Sequence, residues 1–376
     1  EQSKAEVKIF DELMYRHWDD WRGVKRSHLF LFTLSNEAHI DLTLYSTADV
    51  PPLALSSSND YNFSPDGKEV VFTMNESDFL ATSTNNDIFI LDISNVSNID
   101  AESKIKISVS DGNDNHPIYS PDGKYIAFLS MERAGFEADK KSLILYNRES
   151  KELSNLTENL NISIGEFVWS PDSKTIYYAA ANEIYNSMYS LDVAAGSNKI
   201  ILKEIYAKDL VFSNYGDKIY FKVQNSMMPY EIFSYDLFTD ELKQITYVNK
   251  EILSELDMMP VETFWSDGAN GARIQSILVK PPRFDEDEIY PMIFMIHGGP
   301  QGHTPDGFHY RWNLQMFASQ GHVVVAPNPR GSTGYGQNFT DEISDHYPGD
   351  SPTSPSSSGA RRCRARWRRG RRSWRS

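Results

Sequence analysis

The chain has 376 residues, 40% of them hydrophobic and 24% charged, with a formal net charge of −15. This is an ordinary globular composition with room for two domains. The acidic balance argues against a nucleic-acid binder, and no apolar run approaches the ~20 residues of a membrane-spanning helix. A single cysteine, Cys363, excludes an internal disulfide and a thiolate metal site. Residue 1 is Glu and no signal-like segment opens the chain, so the amino terminus reads as processed or internal. The compartment stays open, with a periplasmic or secreted location preferred to a cytoplasmic one.

In chain order, His28-Leu-Phe-Leu-Phe32 is the first strand-like run. Four related turns follow: Phe63-Ser-Pro-Asp-Gly67, Tyr119-Ser-Pro-Asp-Gly123, Trp169-Ser-Pro-Asp-Ser173 and Phe212-Ser-Asn-Tyr-Gly216. Their serines, at 64, 120, 170 and 213, are 56, 50 and 43 residues apart. In such a turn Pro presets φ, Asp bonds its own backbone and Gly accepts positive φ. A β-rich run follows each one: Val70–Thr73, Tyr125–Phe128, Ile176–Tyr178 and Ile219–Phe221. A second strand then ends in Asp or Asn, at Asp92, Asn147, Asp192 and Asp236. A period of this length with several strands per unit predicts β-propeller blades, another β-rich solenoid being the alternative. His28–Phe32 looks like the matching strand of an earlier blade that lacks its turn. Four to five blades are therefore recognisable over residues 1–260, as a five-bladed ring or part of a larger one.

Beyond Pro260 the pattern changes. Val261–Trp265 and Ala272–Lys280 read as a hairpin turning near Asp267-Gly268. The acidic Asp285–Glu288 reads as a wet loop. Pro291–Ile296 is a short apolar run, expected to be a strand buried on both faces as in a parallel sheet. It ends in His297-Gly298-Gly299-Pro300, where two glycines let bare amides approach a ligand at the carboxyl end of a strand. Tyr310, Leu314, Phe317 and Ala318 have helical spacing, with Gly321 as a stop. Val323–Pro327 is a second buried strand, followed by Asn328-Pro-Arg-Gly-Ser-Thr-Gly-Tyr-Gly336. That loop lacks the Lys and the spacing of a phosphate-binding loop.

A propeller followed by this opening resembles the prolyl oligopeptidase family of serine peptidases, in its acylaminoacyl-peptidase and dipeptidyl-peptidase branch. The resemblance covers about residues 5 to 344. It is most specific at His297–Gly302 and Asn328–Gly336, and extends to Tyr15–Trp21 and Ser130–Asp139. It implies an α/β-hydrolase domain beginning at 261, short peptides as substrates, a Ser-Asp-His triad, and no metal or organic cofactor. It also implies that His297, Gly298, Gly299 and Pro300 form the oxyanion loop, with His297 as scaffold rather than catalytic base. Glu132 and Glu137 are candidates to hold the free ammonium of a peptide, against the simpler reading of a solvated acidic loop. Arg330 reads as a loop anchor, and His17, Trp18 and Trp21 as blade packing.

The departures carry equal weight. No Gly-x-Ser-x-Gly elbow occurs in the chain, and the acid and base that would follow it have no counterparts. Ser332 lies between glycines, but its loop follows the wrong strand and no helix opens at it, so it is not expected to act as nucleophile. The reading is a chain truncated within its catalytic domain, 261–344, and inactive as it stands. A propeller that binds peptides without cleaving them, or an esterase or amidase on the same fold, are the alternatives. Oligomeric state cannot be read. Residues 345–376 change character: nine Arg, no Lys and no acid fall after Asp350. They read as a disordered basic tail, from a wrong reading frame or vector sequence in preference to an interaction arm or linker.

Overall fold

The structure is a computed structural model that describes residues 6–11, 13–299, 301–344 and 364–365. The chain falls into two compact units, Glu1–Glu158 and Asn159–Ser376. The expected boundary at 260 lies inside the second.

In the first unit, β1 (Arg16–His17) pairs with β2 (Asp20–Trp21), and β3 (Phe30–Thr33) with β4 (Ala38–Asp41). An antiparallel four-stranded sheet follows: β5 (Tyr61–Phe63), β6 (Glu69–Met74), β7 (Asp87–Asp92) and β8 (Lys104–Lys106). The next repeats it with β9 (Asp114–Tyr119), β10 (Tyr125–Ser130), β11 (Ser142–Asn147) and β12 (Leu153–Asn155). The second unit opens with β13 (Ile164–Trp169), β14 (Thr175–Asn182), β15 (Tyr185–Asp192) and β16 (Asn198–Leu202). Four more strands complete the series: β17 (Tyr206–Phe212), β18 (Lys218–Asn225), β19 (Met228–Asp236) and β20 (Leu242–Gln244). A parallel bridge between Asn186 and Tyr206 joins these last two sets. No sheet among the described residues closes on itself.

Each repeated turn joins the first two strands of one set, and in the first three the Asp bonds nearby backbone as expected, accepting from the amides of Lys68, Lys124 and Lys174. Ser64, Ser120 and Ser170 donate their hydroxyls to Asp66, Asp122 and Asp172 two residues on, each at 2.7 Å. The fourth turn reaches further, from Ser213 to Asp217 at 2.6 Å. Gly67, Gly123 and Gly216 sit at φ +69°, +70° and +71°, and Ser173 holds the same left-handed bend at +61°. The strand after the first turn has five buried residues of six, and that after the second four of six. Val70, Phe72, Phe89 and Leu91 pack with Leu29 and Leu42, while Val71, Ile88, Ile126 and Phe128 pack between the first two sheets. Period-two alternation thus sends one face of the β5–β8 sheet toward Leu29 and Leu42 and the other toward the β9–β12 sheet. At the amino end Trp21 stacks on Phe10 and Tyr15. Trp18 does not pack as expected: it is 85% exposed, at a φ of +52°.

After α1 (Lys250–Ser254) comes the carboxyl-terminal sheet, in the order β21 (Glu262–Asp267), β22 (Arg273–Val279), β24 (Val323–Asn328), β23 (Tyr290–Phe294). β21 and β22 form the expected hairpin, closed by Gly268 N–H on Ala272 O. β23 and β24 run parallel. β24 is buried throughout. β23 is not buried on both faces: Phe294 is 42% exposed and Ile296, just past it, 52%. One edge of β23 has β24; along the other, β25 (Arg364–Ala365) reaches only Tyr290 and Pro291. The helix expected from Tyr310 begins later, as α2 (Leu314–Ala318), capped by the Asn313 side chain on Gln315 N–H. The His309 ring accepts from the amides of Arg311 and Trp312 and bends the chain before it. A third short helix, α3 (Gln337–Asp341), follows the glycine-rich loop. Apart from β25, the basic segment 345–376 lies outside the described residues.

Candidate active-site loop

The chain leaves β23 through Met295 and Ile296 and reaches His297 at the carboxyl end of the parallel pair. Gly298 and Gly299 are exposed, and Pro300 lies outside the described residues. Gly299 has φ +138°, and a Cβ there would stand 2.7 Å from the amide nitrogen of Gln301. Only glycine fits. An added Cβ at Gly298 would meet nothing within 4 Å, so the space beside it is open.

His297 ties this loop to the one after β24. Its Nδ1 is 2.7 Å from the carbonyl oxygen of Gly298. A carbonyl can only accept, so Nδ1 carries the proton and Nε2 accepts from the Ser332 hydroxyl at 2.9 Å. A serine donating to a histidine is the opening geometry of nucleophilic catalysis. Here, however, Ser332 is fully buried. Its N–H donates to Pro329 O and its own carbonyl accepts from the Thr340 hydroxyl. A parallel bridge to Gly302 holds the same residue from the other side. The hydroxyl is sealed inside a loop-to-loop tie, out of reach of a peptide. Beside it, His303 Nδ1 lies 2.8 Å from Thr333 Oγ1. Burial and the neighbouring His297 push His303 down to about 4, so it is neutral at physiological pH.

Beneath the two loops runs a polar relay that sequence reasoning missed. Gln275 Nε2 donates to Glu183 Oε2 (2.9 Å), and the Tyr335 hydroxyl donates to Gln275 Oε1 (2.7 Å). Asn328 Nδ2 donates to that hydroxyl at 2.8 Å, and Asn328 Oδ1 accepts from Thr304 N–H at 2.7 Å. Burial drives the Tyr335 hydroxyl well above its ordinary value, so it stays a donor. Glu183 lies between β14 and β15, and its N–H also donates to Gly334 O at 2.8 Å. A Cβ on Gly334 would stand 2.7 Å from Glu183 O. The repeated glycines of the 328–336 loop are the signal in sequence that another backbone passes this close. Arg330 is an anchor, as expected: Nη2 donates to Ala269 O (2.7 Å) and Nε faces Glu342 (3.2 Å).

Glu132 and Glu137 are exposed on the loop between β10 and β11, in the first unit, whereas the glycine loop belongs to the second. Their loop is pinned by the buried Asp139, which accepts from the amides of Glu132 (2.9 Å) and Arg133 (2.8 Å) and from Arg133 Nε (2.7 Å). Among the described residues no group of three His, Cys, Asp or Glu could hold a metal ion.

Gly298 and Gly299 thus stand exposed at the carboxyl end of a parallel strand, with His297 tied back to Ser332. Residues 308–353 match the sequence profile of the prolyl oligopeptidase family. The dipeptidyl-peptidase 5 of Porphyromonas gingivalis is 30% identical over 353 residues, covering 92% of this chain and 50% of that protein. Among solved structures, the uncomplexed acylaminoacyl peptidase of Pyrococcus horikoshii superposes with a TM-score of 0.64 at 16% identity, over 90% of this chain and 50% of the other. Dipeptidyl peptidase 4 of Porphyromonas gingivalis gives 0.59 at 16% identity, over 84% and 43%. Residues 308–353 thus belong to the prolyl oligopeptidase family, and the chain as a whole is similar to dipeptidyl and acylaminoacyl peptidases. It spans about half the length of the curated relatives it matches.

Proposed function

We propose that this chain carries part of a β-propeller and the oxyanion-binding portion of a serine exopeptidase that removes short units from the amino end of peptides. The observation that carries the reading is the open Gly298-Gly299 turn at the carboxyl end of β23. In the reaction a serine oxygen attacks the scissile carbonyl, and the amides of this turn meet the negative charge that develops on the carbonyl oxygen. The amine leaves with a proton, and water then releases the acyl group from the serine. Glu132 and Glu137 supply carboxylates suited to the free ammonium of the substrate, because charge-assisted hydrogen bonds fix its register.

The sequence holds no Gly-x-Ser-x-Gly, and Ser332 is sealed, so the polypeptide of 376 residues does not itself cleave peptides. A fluorophosphonate probe, which labels any activated serine, tests this. No labelling is expected of this chain, and labelling is expected of a chain extended to the full length of its relatives. Labelling of the present chain at Ser332 overturns the assignment. Peptide retention by the present chain that disappears in Glu137→Ala supports the ammonium-binding role; retention unchanged by that substitution removes it.

A further inference from the structure

The turn that carries Gly298 and Gly299 has two arms. On the amino side His297 is tied to Ser332. On the carboxyl side Gly302, His303, Thr304 and Asp306 are each held in turn. Gly302 O accepts from Thr333 N–H at 3.1 Å, and a parallel bridge sets Gly302 beside Ser332. His303 Nδ1 meets Thr333 Oγ1. The Asn328 side chain takes both backbone groups of Thr304: Oδ1 accepts from its N–H at 2.7 Å, and Nδ2 donates to its C=O at 3.1 Å. These first three ties all lead to β24 and the loop after it.

Asp306 is tied elsewhere. Its N–H donates to Ile184 O at 2.8 Å, at the tip of the β14–β15 hairpin. Its Oδ1 accepts from Ser226 N–H at 2.8 Å, at the tip of the β18–β19 hairpin. Both anchors are firm. Ile184 is fully buried and packs with Ile277, Val279, Val324 and Ala326 of the carboxyl-terminal sheet. Ser226 is 5% exposed, so its amide needs an acceptor from the protein. The next residue, Gly307, lies close over the same hairpin: a Cβ there would stand 2.9 Å from Gln224 Nε2. One residue thus joins two hairpins to the arm of the turn, and its side chain has to be a short acceptor.

We propose that Asp306 is a positioning residue for the Gly298–Gly299 turn. It fastens the Gly302–Thr304 arm to the tips of the β14–β15 and β18–β19 hairpins, so that these hairpins set where the open amides stand. The role rests on the reading of that turn as oxyanion-binding; the fastening itself does not. Amides that meet a developing charge must be held in place before the charge forms, and an anchor on two packed hairpins holds them so. Alanine at 306 leaves the buried Ser226 amide without its acceptor, and the cost falls on this joint rather than on β24.

The test is hydrogen exchange in the full chain, read at the amides of Thr304 and Thr333, which close the arm, with β24 as reference. Asp306→Ala is expected to speed both by about tenfold and to leave residues 324–326 of β24 unchanged. Asp306→Asn keeps an oxygen for the Ser226 N–H, and it is expected to bring exchange back to within about threefold of the unmodified chain. Ser226→Pro removes the donor instead, at the first position of a two-residue turn that proline suits, and is expected to repeat the alanine effect with Asp306 in place. Unchanged exchange at Thr304 and Thr333 overturns the proposal, even where the Asp306 amide exchanges faster, since the joint then braces the hairpin alone. Asp306→Asn as fast as Asp306→Ala overturns it by removing the acceptor as the cause. Acceleration spread equally over β24 in Asp306→Ala and Ser226→Pro overturns it as well, by making the effect a general loss of stability. Fluorophosphonate labelling of the extended chain tests the oxyanion reading separately, so each can fail without the other.

Discussion

Gly299 and Ser332 show how little of a hydrolase loop is free to vary. With φ at +138° and Gln301 behind it, Gly299→Ala forces the backbone to move. The expected cost is about 1–3 kcal/mol, read as faster hydrogen exchange over the 297–302 segment. Ser332→Ala removes the hydroxyl that His297 holds and leaves one ring nitrogen unpaired, at a cost of about 1–3 kcal/mol. It leaves fluorophosphonate labelling as it is, because a tie and not a nucleophile has been lost. Asp114 carries a different strain. It is fully buried, and burial with Asp87 alongside pushes it up to about 7. Ser130, Ser108 and Lys106 pull the other way without prevailing. The folded chain therefore holds a proton at Asp114 where the unfolded chain has released it. Stability falls as pH rises from about 4 to about 7 and is level beyond, at ~1.4 kcal/mol per unit difference between folded and unfolded values. Asp114→Asn should melt higher than the unmodified chain at pH 8 and no higher at pH 4. The same increment at both pH values would dispose of the buried-carboxyl account.

At the scale of elements, what could be read in advance was what is local. Ser64, Asp66 and Gly67 lie within four residues, and their hydroxyl, carboxylate and left-handed bend make a turn before any tertiary contact exists. Gly67 has nothing within 4 Å of an added Cβ, so Gly67→Ala isolates the backbone term. A loss of about 1–2 kcal/mol is expected in the urea midpoint of the first unit. The run from Pro291 to Ile296 is equally clearly apolar in sequence, yet it is not buried on both faces. Composition states an affinity for an interior and not whether a neighbour is supplied. The relay was illegible for a related reason: Glu183 and Gln275 are 92 residues apart, and neither stands in a pattern that names the other. The histidine tie was half legible. Its loops could be recognised, but the hydrogen bond that joins them could not. Among the described residues the edge of β23 beyond Pro291 has no neighbour, and the exposed Phe294 and Ile296 make that end a template for edge-to-edge association. Ile296→Lys is expected to lower the scattering of concentrated solutions without lowering the melting temperature.

For the whole molecule, the two compact units should answer acid differently. The first has Asp114. The second has Glu166, raised to about 7 by burial and Asp209, and also His303, lowered to about 4. A histidine depressed on folding contributes stability above its ordinary value of 6.5 and loses it as pH falls toward 4. The carboxyl and the imidazole of the second unit therefore oppose each other across this range, while the first unit slopes one way. Hydrogen exchange followed between pH 5 and 8 should show protection falling with pH in β9 and β10, after correction for intrinsic rates, and a flatter response in β22 and β24. Parallel slopes in the two units would contradict the assignment of these groups.

The contact between Glu183 and Gly334 has a consequence for how such a chain can change over time. Hairpin tips are ordinarily the places where insertions accumulate at least harm. This one is wedged against a glycine whose missing side chain makes the space it occupies. A single residue gained there would be transmitted to the bend that carries Ser332 and, through His297, to the open amides. Variation between lineages should therefore spare this one.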